Sequence, residues 1–175
     1  MANLMMPTPN QKRIIALDVR RRRFAFAVLE GSNDLLDFGA RSFRTGTNKV
    51  RVPPCEKLAS LFDDFNPSAV VTRDRTAETR KWRSFIDEAL RRESGKRRVQ
   101  IRLVTRPTVI NAFNGRDRKY VIAVALAEHF PALASKLPPK RKCWQSEDYR
   151  MSIFDAAATG VAYFNRVRPH GTSPK

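Results

Sequence analysis

The sequence predicts an α/β domain on a mixed five-stranded sheet, three antiparallel strands followed by parallel ones, flanked by helices. Two observations carry this expectation. Apolar runs of strand length at 13–18, 24–30 and 35–44 follow one another across short polar connections, as in an antiparallel meander. Beyond residue 50, segments with apolar residues at helical spacing alternate with two more short apolar runs, the order that builds parallel crossovers. The length of 175 residues suits one such domain with a sizeable core.

The first run, Arg13-Ile-Ile-Ala-Leu-Asp18, is a buried strand that delivers a carboxylate to its end. A turn carrying Arg20, Arg21, Arg22 and Arg23 returns the chain into Phe24-Ala-Phe-Ala-Val-Leu29. Gly31-Ser-Asn-Asp34 makes a hairpin turn into the third strand, where Leu36, Phe38 and Ala40 alternate. After a polar connection, Pro53-Pro54 opens a helix whose apolar face is Leu58, Leu61, Phe62 and Phe65, and Asn66-Pro67 ends it. Ser68-Ala-Val-Val-Thr72 is a short buried strand, and the helix before it implies parallel pairing with an earlier strand. A helix over 76–92 follows, with Trp82, Phe85, Ile86, Ala89 and Leu90 on one side and Gly95 as its stop. Val99-Gln-Ile101-Arg-Leu103-Val104 alternates as a strand. A short helix at 107–113, an apolar helix at 119–130, a basic Pro-rich loop at 137–142 and a final helix at 146–165 complete the chain. The expected organisation is a flexible arm (1–12), one domain (13–166) and a tail (167–175).

Composition names the partner class. Against 17 Asp+Glu stand 34 Lys+Arg, leaving a formal charge of +17 and a pI near 11.0. Solubility needs a net charge of only about 2 to 8 on a small domain, so the excess reads as the footprint of a polyanion binder. No apolar stretch approaches the ~20 residues of a membrane span, and the opening decapeptide lacks the charged and apolar regions of a signal peptide. Cys55 and Cys143 are too few for a disulfide framework and read as reduced thiols of a cytoplasmic protein. His129 and His170 are isolated and take no chemical role.

Acidic residues are scarce, so their positions carry information. Glu147 and Asp148 are expected in the first turn of the final helix behind a Ser146 cap. Asp148 and Asp155, seven residues apart, would project from one face with Ser152 between them. Asp155 lies in Ile153-Phe-Asp-Ala-Ala-Ala-Thr-Gly-Val-Ala-Tyr-Phe164, a small-residue helix suited to close packing on a sheet. A carboxylate there carries a desolvation penalty. Sharing a divalent cation with Asp18 would remove it, and hard oxygen ligands suit Mg²⁺.

Taken in order, these motifs resemble the RuvC-like branch of the ribonuclease H-like superfamily, over about residues 13 to 165. Leu17-Asp-Val-Arg is similar to the family's first-strand aspartate motif, Asn114-Gly-Arg-Asp-Arg-Lys-Tyr-Val121 to its basic Gly-Arg-x-x-Lys segment, and Phe154-Asp-Ala-Ala-Ala to its terminal aspartate motif. The resemblance implies a ribonuclease H-like fold and a Mg²⁺- or Mn²⁺-dependent, structure-selective endonuclease of the Holliday-junction-resolvase type. It implies Asp18 and Asp155 as metal ligands and Lys119 in a DNA-contacting or catalytic role. Family resolvases carry a glutamate at the end of the fourth strand, where this chain has Arg73 followed by Asp74, and a second terminal-helix acid about where this chain has Ser152. Two outcomes follow: a rearranged acidic set of Asp18, Asp74, Asp148 and Asp155, or a degenerate site that binds nucleic acid without cutting. In the first, two ions held by shared carboxylates activate water and stabilise the leaving oxygen.

Arg20, Arg21, Arg22, Arg23, Arg116, Arg118, Lys119, Lys140, Arg141 and Lys142 are the expected backbone contacts to branched DNA. Trp144 and Tyr149 are candidates for stacking on unpaired bases. Precursor ribosomal RNA is the alternative substrate. Symmetric cutting of two strands implies a twofold homodimer.

Overall fold

The computed structural model describes residues 12–20, 23–42, 54–74 and 84–167. Strands β1 (Arg13–Val19), β2 (Arg23–Glu30) and β3 (Leu35–Ser42) form the meander; β4 (Ala69–Arg73) and β5 (Gln100–Val104) complete the sheet. Its order is β3-β2-β1-β4-β5. β1 pairs antiparallel with β2 and parallel with β4, and β5 adds parallel to β4. The expected mixed sheet is therefore present, with β1 at its centre.

Alternation along β1 builds two cores. Ile14 and Ala16 face the layer of α3 (Arg106–Ala112), α4 (Lys119–His129), the one-turn α5 (Pro131–Ala134) and α6 (Met151–Val167). Ile15 and Leu17 face α1 (Pro54–Phe65) and α2 (Ser84–Arg97), where Leu58, Leu61, Phe62, Ala89 and Leu90 pack. On β4, Ala69 and Val71 join the first layer and Val70 the second. This parity fixes what each strand end can offer: Asp18 continues the Ile14–Ala16 series, and so does Arg73 on β4.

Helix α6 lies close against the sheet. Its Ala156, Ala157 and Ala162 are fully buried, and a Cβ added at Gly160 would stand 2.5 Å from Leu29 Cδ1 and 3.1 Å from Ala16 Cβ. Small residues thus set the depth at which this helix, and Asp155 on it, meets β1.

Several expectations are corrected. The final helix begins at Met151, so Ser146, Glu147 and Asp148 precede it. Asp148 starts the chain's turn into the helix, its carbonyl accepting from Met151 N at 3.0 Å and its carboxylate from Arg150 N at 2.9 Å. It therefore does not share a helix face with Asp155. Gly95 lies within α2, which runs to Arg97; the left-handed turn falls on Arg98 (φ 56°), and Val99 N closes onto Ser94 O at 2.9 Å. The Glu93 carboxylate holds that last turn together through Lys96 and Arg97. On the edge strand β5, Leu103 is 52% exposed and only Val104 is buried, so its alternation does not seal a core face. α6 runs to Val167, two residues past the expected end of the final helix. The rest of the arm and tail, the helix start over 76–83 with Trp82, the side chain of Phe85, and Arg21 and Arg22 lie outside the described residues and side chains.

Gly160→Ala is expected to destabilise the fold by roughly 1–3 kcal/mol through overpacking against Leu29, read as a lower urea midpoint with an unchanged slope. A second expectation concerns pH. Glu93 is buried and held below its ordinary value, first by its hydrogen bond from Lys96 and, against burial, by Arg97. Its folded pKa being depressed, its stabilisation is present above the unfolded value of about 4.3 and is lost as pH falls through the folded one. Acid titration by circular dichroism should show Glu93→Gln flattening stability below about pH 4.3 relative to wild type.

Candidate functional site

Asp18, the last residue but one of β1, is 2% exposed in spite of its charge. A carboxylate so buried requires a partner. Two residues on, and so on the same face of the extended chain, Arg20 supplies one. Its Nε donates to Asp18 Oδ2 at 2.7 Å, and its Nη2 donates to Asp155 Oδ2 at 2.9 Å. Arg20 is held at the start of the turn into β2 by its backbone N donating to Arg23 O at 2.8 Å. One guanidinium therefore joins the end of the central strand to the first turns of α6.

The same Asp155 oxygen accepts from Lys119 Nζ at 2.9 Å, and Lys119 also donates to Glu147 Oε1 at 2.9 Å. Lys119 opens α4, where a cation runs against the helix dipole; two carboxylates offset that. Glu147 also lies 3.8 Å from the Arg20 guanidinium. Burial opposes the charge on Arg20, but Asp18 foremost, then Asp155 and Glu147, raise its pKa above the ordinary arginine value. Glu147 is lowered, burial being outweighed by Lys119, Arg20 and Arg141.

The other expected ligands go elsewhere. Asp148 is paired bidentately with Arg150, with contacts at 2.8 and 3.1 Å, and this pairing lowers its pKa. Asp74 follows the last residue of β4, and its backbone N still donates to Val104 O at 2.8 Å. The chain thus stays extended past Arg73, and alternation turns Arg73, not Asp74, toward α6. Arg73 lines a small recess with Arg106, Lys119, Asp155 and Thr159, and among the described residues its buried Nε has no hydrogen-bond partner. Ser152 is buried with its hydroxyl donating to Tyr149 O at 2.6 Å. Of the four acids expected to form the site, the structure brings Asp18 and Asp155 together, and Glu147 joins them through Lys119.

A divalent ion is tested against this donor set. Among the described residues no group of three or more His, Cys, Asp or Glu side chains could hold a metal. Asp18 and Asp155 nevertheless give oxygens to one cationic group. That suits a single Mg²⁺, an ion held through one or two carboxylates with waters and substrate phosphates completing its shell. The residues fit one ion and offer no cage for a second.

Beside the cluster opens a cleft of about 840 Å³ between the start of α4 and the 138–151 segment, lined by Lys119, Tyr120, Lys140, Arg141 and Glu147 among others. Arg116, Arg118 and Lys142 are exposed on the same stretches of chain. Trp144 (74% exposed) has Lys142 Nζ 5.4 Å from its ring centroid, and Tyr149 is 55% exposed. No described helix is long and apolar enough to cross a membrane.

Neither a family model nor a curated protein matches the sequence. Solved structures do match the fold. The chain is similar to Thermus thermophilus RuvC (TM-score 0.62, 13% identity, covering 89% of this chain and 96% of that one). It is also similar to T. thermophilus RuvC in complex with Holliday junction substrate (TM-score 0.59, 11% identity, 89% and 96%). A third is the Fowlpox virus resolvase complexed with substrate Holliday junction DNA (TM-score 0.53, 12% identity, 89% and 98%). Sheet order, crossover and terminal helix together give this chain a ribonuclease H-like fold. Over most of its length that fold is RuvC-like.

Proposed function

We propose that this chain is a divalent-metal-dependent, structure-selective endonuclease acting on branched DNA of the Holliday-junction type. The observation that carries this reading is the convergence of Asp18 and Asp155, from the central strand and the terminal helix, on one cation position. The fold likeness to resolvases and the charge of +17 support the same substrate class.

In this mechanism, Asp18 and Asp155 are the residues that would hold the ion. The chemistry an ion supplies there is Lewis-acid polarisation of the phosphodiester. Lys119, fixed by Asp155 and Glu147, neutralises charge developing on the phosphate. Arg73 directs a further positive charge into the recess beside Asp155. Lys140, Arg141 and Lys142 border the cleft and hold the backbone without reading sequence, while Trp144 and Tyr149 offer faces for unpaired bases. Arg20, Arg23, Arg116 and Arg118 add further cations for the backbone. Asp74 and Asp148 shape the surrounding chain rather than the ion's shell. Cutting two strands requires two copies of the site related by a twofold axis.

One observation favours a second reading, a nucleic-acid-binding protein without cleavage. An arginine stands where related resolvases place the fourth-strand glutamate, and another bridges the two remaining acids.

The test is cleavage of a labelled four-way DNA junction in Mg²⁺ and in Mn²⁺, with linear duplex and structured RNA as controls. Wild type should cut the junction, Asp18→Asn and Asp155→Asn should bind it without cutting, and Lys119→Ala should lose about 10²-fold in rate. Equal binding by all four proteins with no metal-dependent cutting in wild type would favour the binder; preferred cutting of RNA would move the substrate to that class.

A further inference from the structure

One oxygen of each carboxylate that would hold an ion is in use. Arg20 takes Asp18 Oδ2 and Asp155 Oδ2 through two nitrogens of one guanidinium, and Lys119 takes Asp155 Oδ2 as well. Two fixed cations and a divalent ion would repel one another strongly at a site this buried. An ion can enter only as Arg20 leaves. Arg20 is placed to do so: it stands at the start of a turn, outside the strand, and its side chain keeps 26% exposure while Asp18 keeps 2%. Its strongest competing ligand is a phosphate, which accepts a guanidinium bidentately as a carboxylate does.

We infer that Arg20 is a resident occupant of the cation seat between Asp18 and Asp155, drawn off by a backbone phosphate of the bound nucleic acid, so that divalent-ion binding and nucleic-acid binding are coupled. This rests on the proposed cleavage site and adds its order of assembly. Arg20 is a positioning residue here: it keeps the acids paired in the free protein and clamps the phosphate once displaced. The coupling is reciprocal, so the ion must tighten junction binding by the factor by which the junction tightens ion binding.

The experiment is Mn²⁺ titration of the full chain, followed by the electron paramagnetic resonance signal of free Mn²⁺. It is run with and without a four-way junction, with junction alone as blank. Wild type should bind Mn²⁺ at least about fivefold more tightly with junction than without. Arg20→Gln alone should bind it as tightly as the wild-type complex, and Asp18→Asn should abolish the junction-dependent increment. Equal Mn²⁺ affinity of wild type with and without junction, or no gain in a folded Arg20→Gln, overturns the inference. If circular dichroism shows Arg20→Gln unfolded, the wild-type comparison and its reciprocal, junction affinity with and without Mn²⁺, decide alone. Junction cleavage with junction-independent Mn²⁺ uptake refutes the coupling and leaves the nuclease reading standing; coupled uptake without cleavage does the reverse.

Discussion

A buried carboxylate and a half-buried one within reach of the same cation are the constraint around which this molecule is arranged. Asp18 lies one residue before the end of the central strand, where neighbours on both sides remove it from water, and Asp155 comes down onto it from α6. Neither position tolerates an uncompensated charge. The depth of α6 makes the meeting possible. Alanines at 156, 157 and 162 and the absent Cβ at Gly160 let the helix axis approach β1 and β2, where bulkier residues would hold it away. The antiparallel meander contributes by placing β1 in the interior of the sheet, and the crossover through α1 by setting β4 beside it.

The electrostatics of the site and of the whole chain share a sign. Around Asp18, Asp155 and Glu147 stand Arg20, Lys119 and Arg73, so the acids are neutralised by side chains. The exposed Arg116, Arg118, Lys140, Arg141 and Lys142 add positive charge on the neighbouring stretches of chain. Strand parity decides which residues take part. It brings Arg73 inward and turns Asp74 away, while the turn-forming role of Asp148 commits that acid to Arg150.

Much of the fold was legible because it rests on local signals. Alternation in Phe38 and Ala40, the Gly31–Asp34 turn and the helical spacing of Leu58, Leu61 and Phe62 each specify an element without reference to the rest of the chain; Leu36, expected in that alternation, is 46% exposed because the register shifts at Leu29 and Leu35 packs on the core instead. Asp18 and Asp155 were expected to share a divalent ion, from burial logic applied to a carboxylate near a strand end and another on a small-residue helix; the group that joins them in the structure is the Arg20 guanidinium. The start of α6 was misjudged because acids after a serine imitate a helix cap. Here the carbonyl and side chain of Asp148 begin the turn into the helix three residues later. Glu147 was read as a first-turn acid and left out of the acidic set for the same reason, since as a loop residue its reach to Lys119 depends on tertiary placement. Arg20 carried an unused signal: a spacing of two from Asp18 puts both side chains on one face of an extended chain. The one-turn α5 rests on Pro131 following the end of α4, a break too short to show periodicity.

The most direct measurement is a crystal structure of the full chain with a four-way junction and Mn²⁺, with the ion located by its anomalous scattering. The expected map has a single peak bridging Asp18 and Asp155, with the Arg20 guanidinium turned onto a backbone phosphate. A peak held by Asp74 or Asp148, or an Arg20 still bridging the two aspartates with the junction bound, would contradict the shared cation seat.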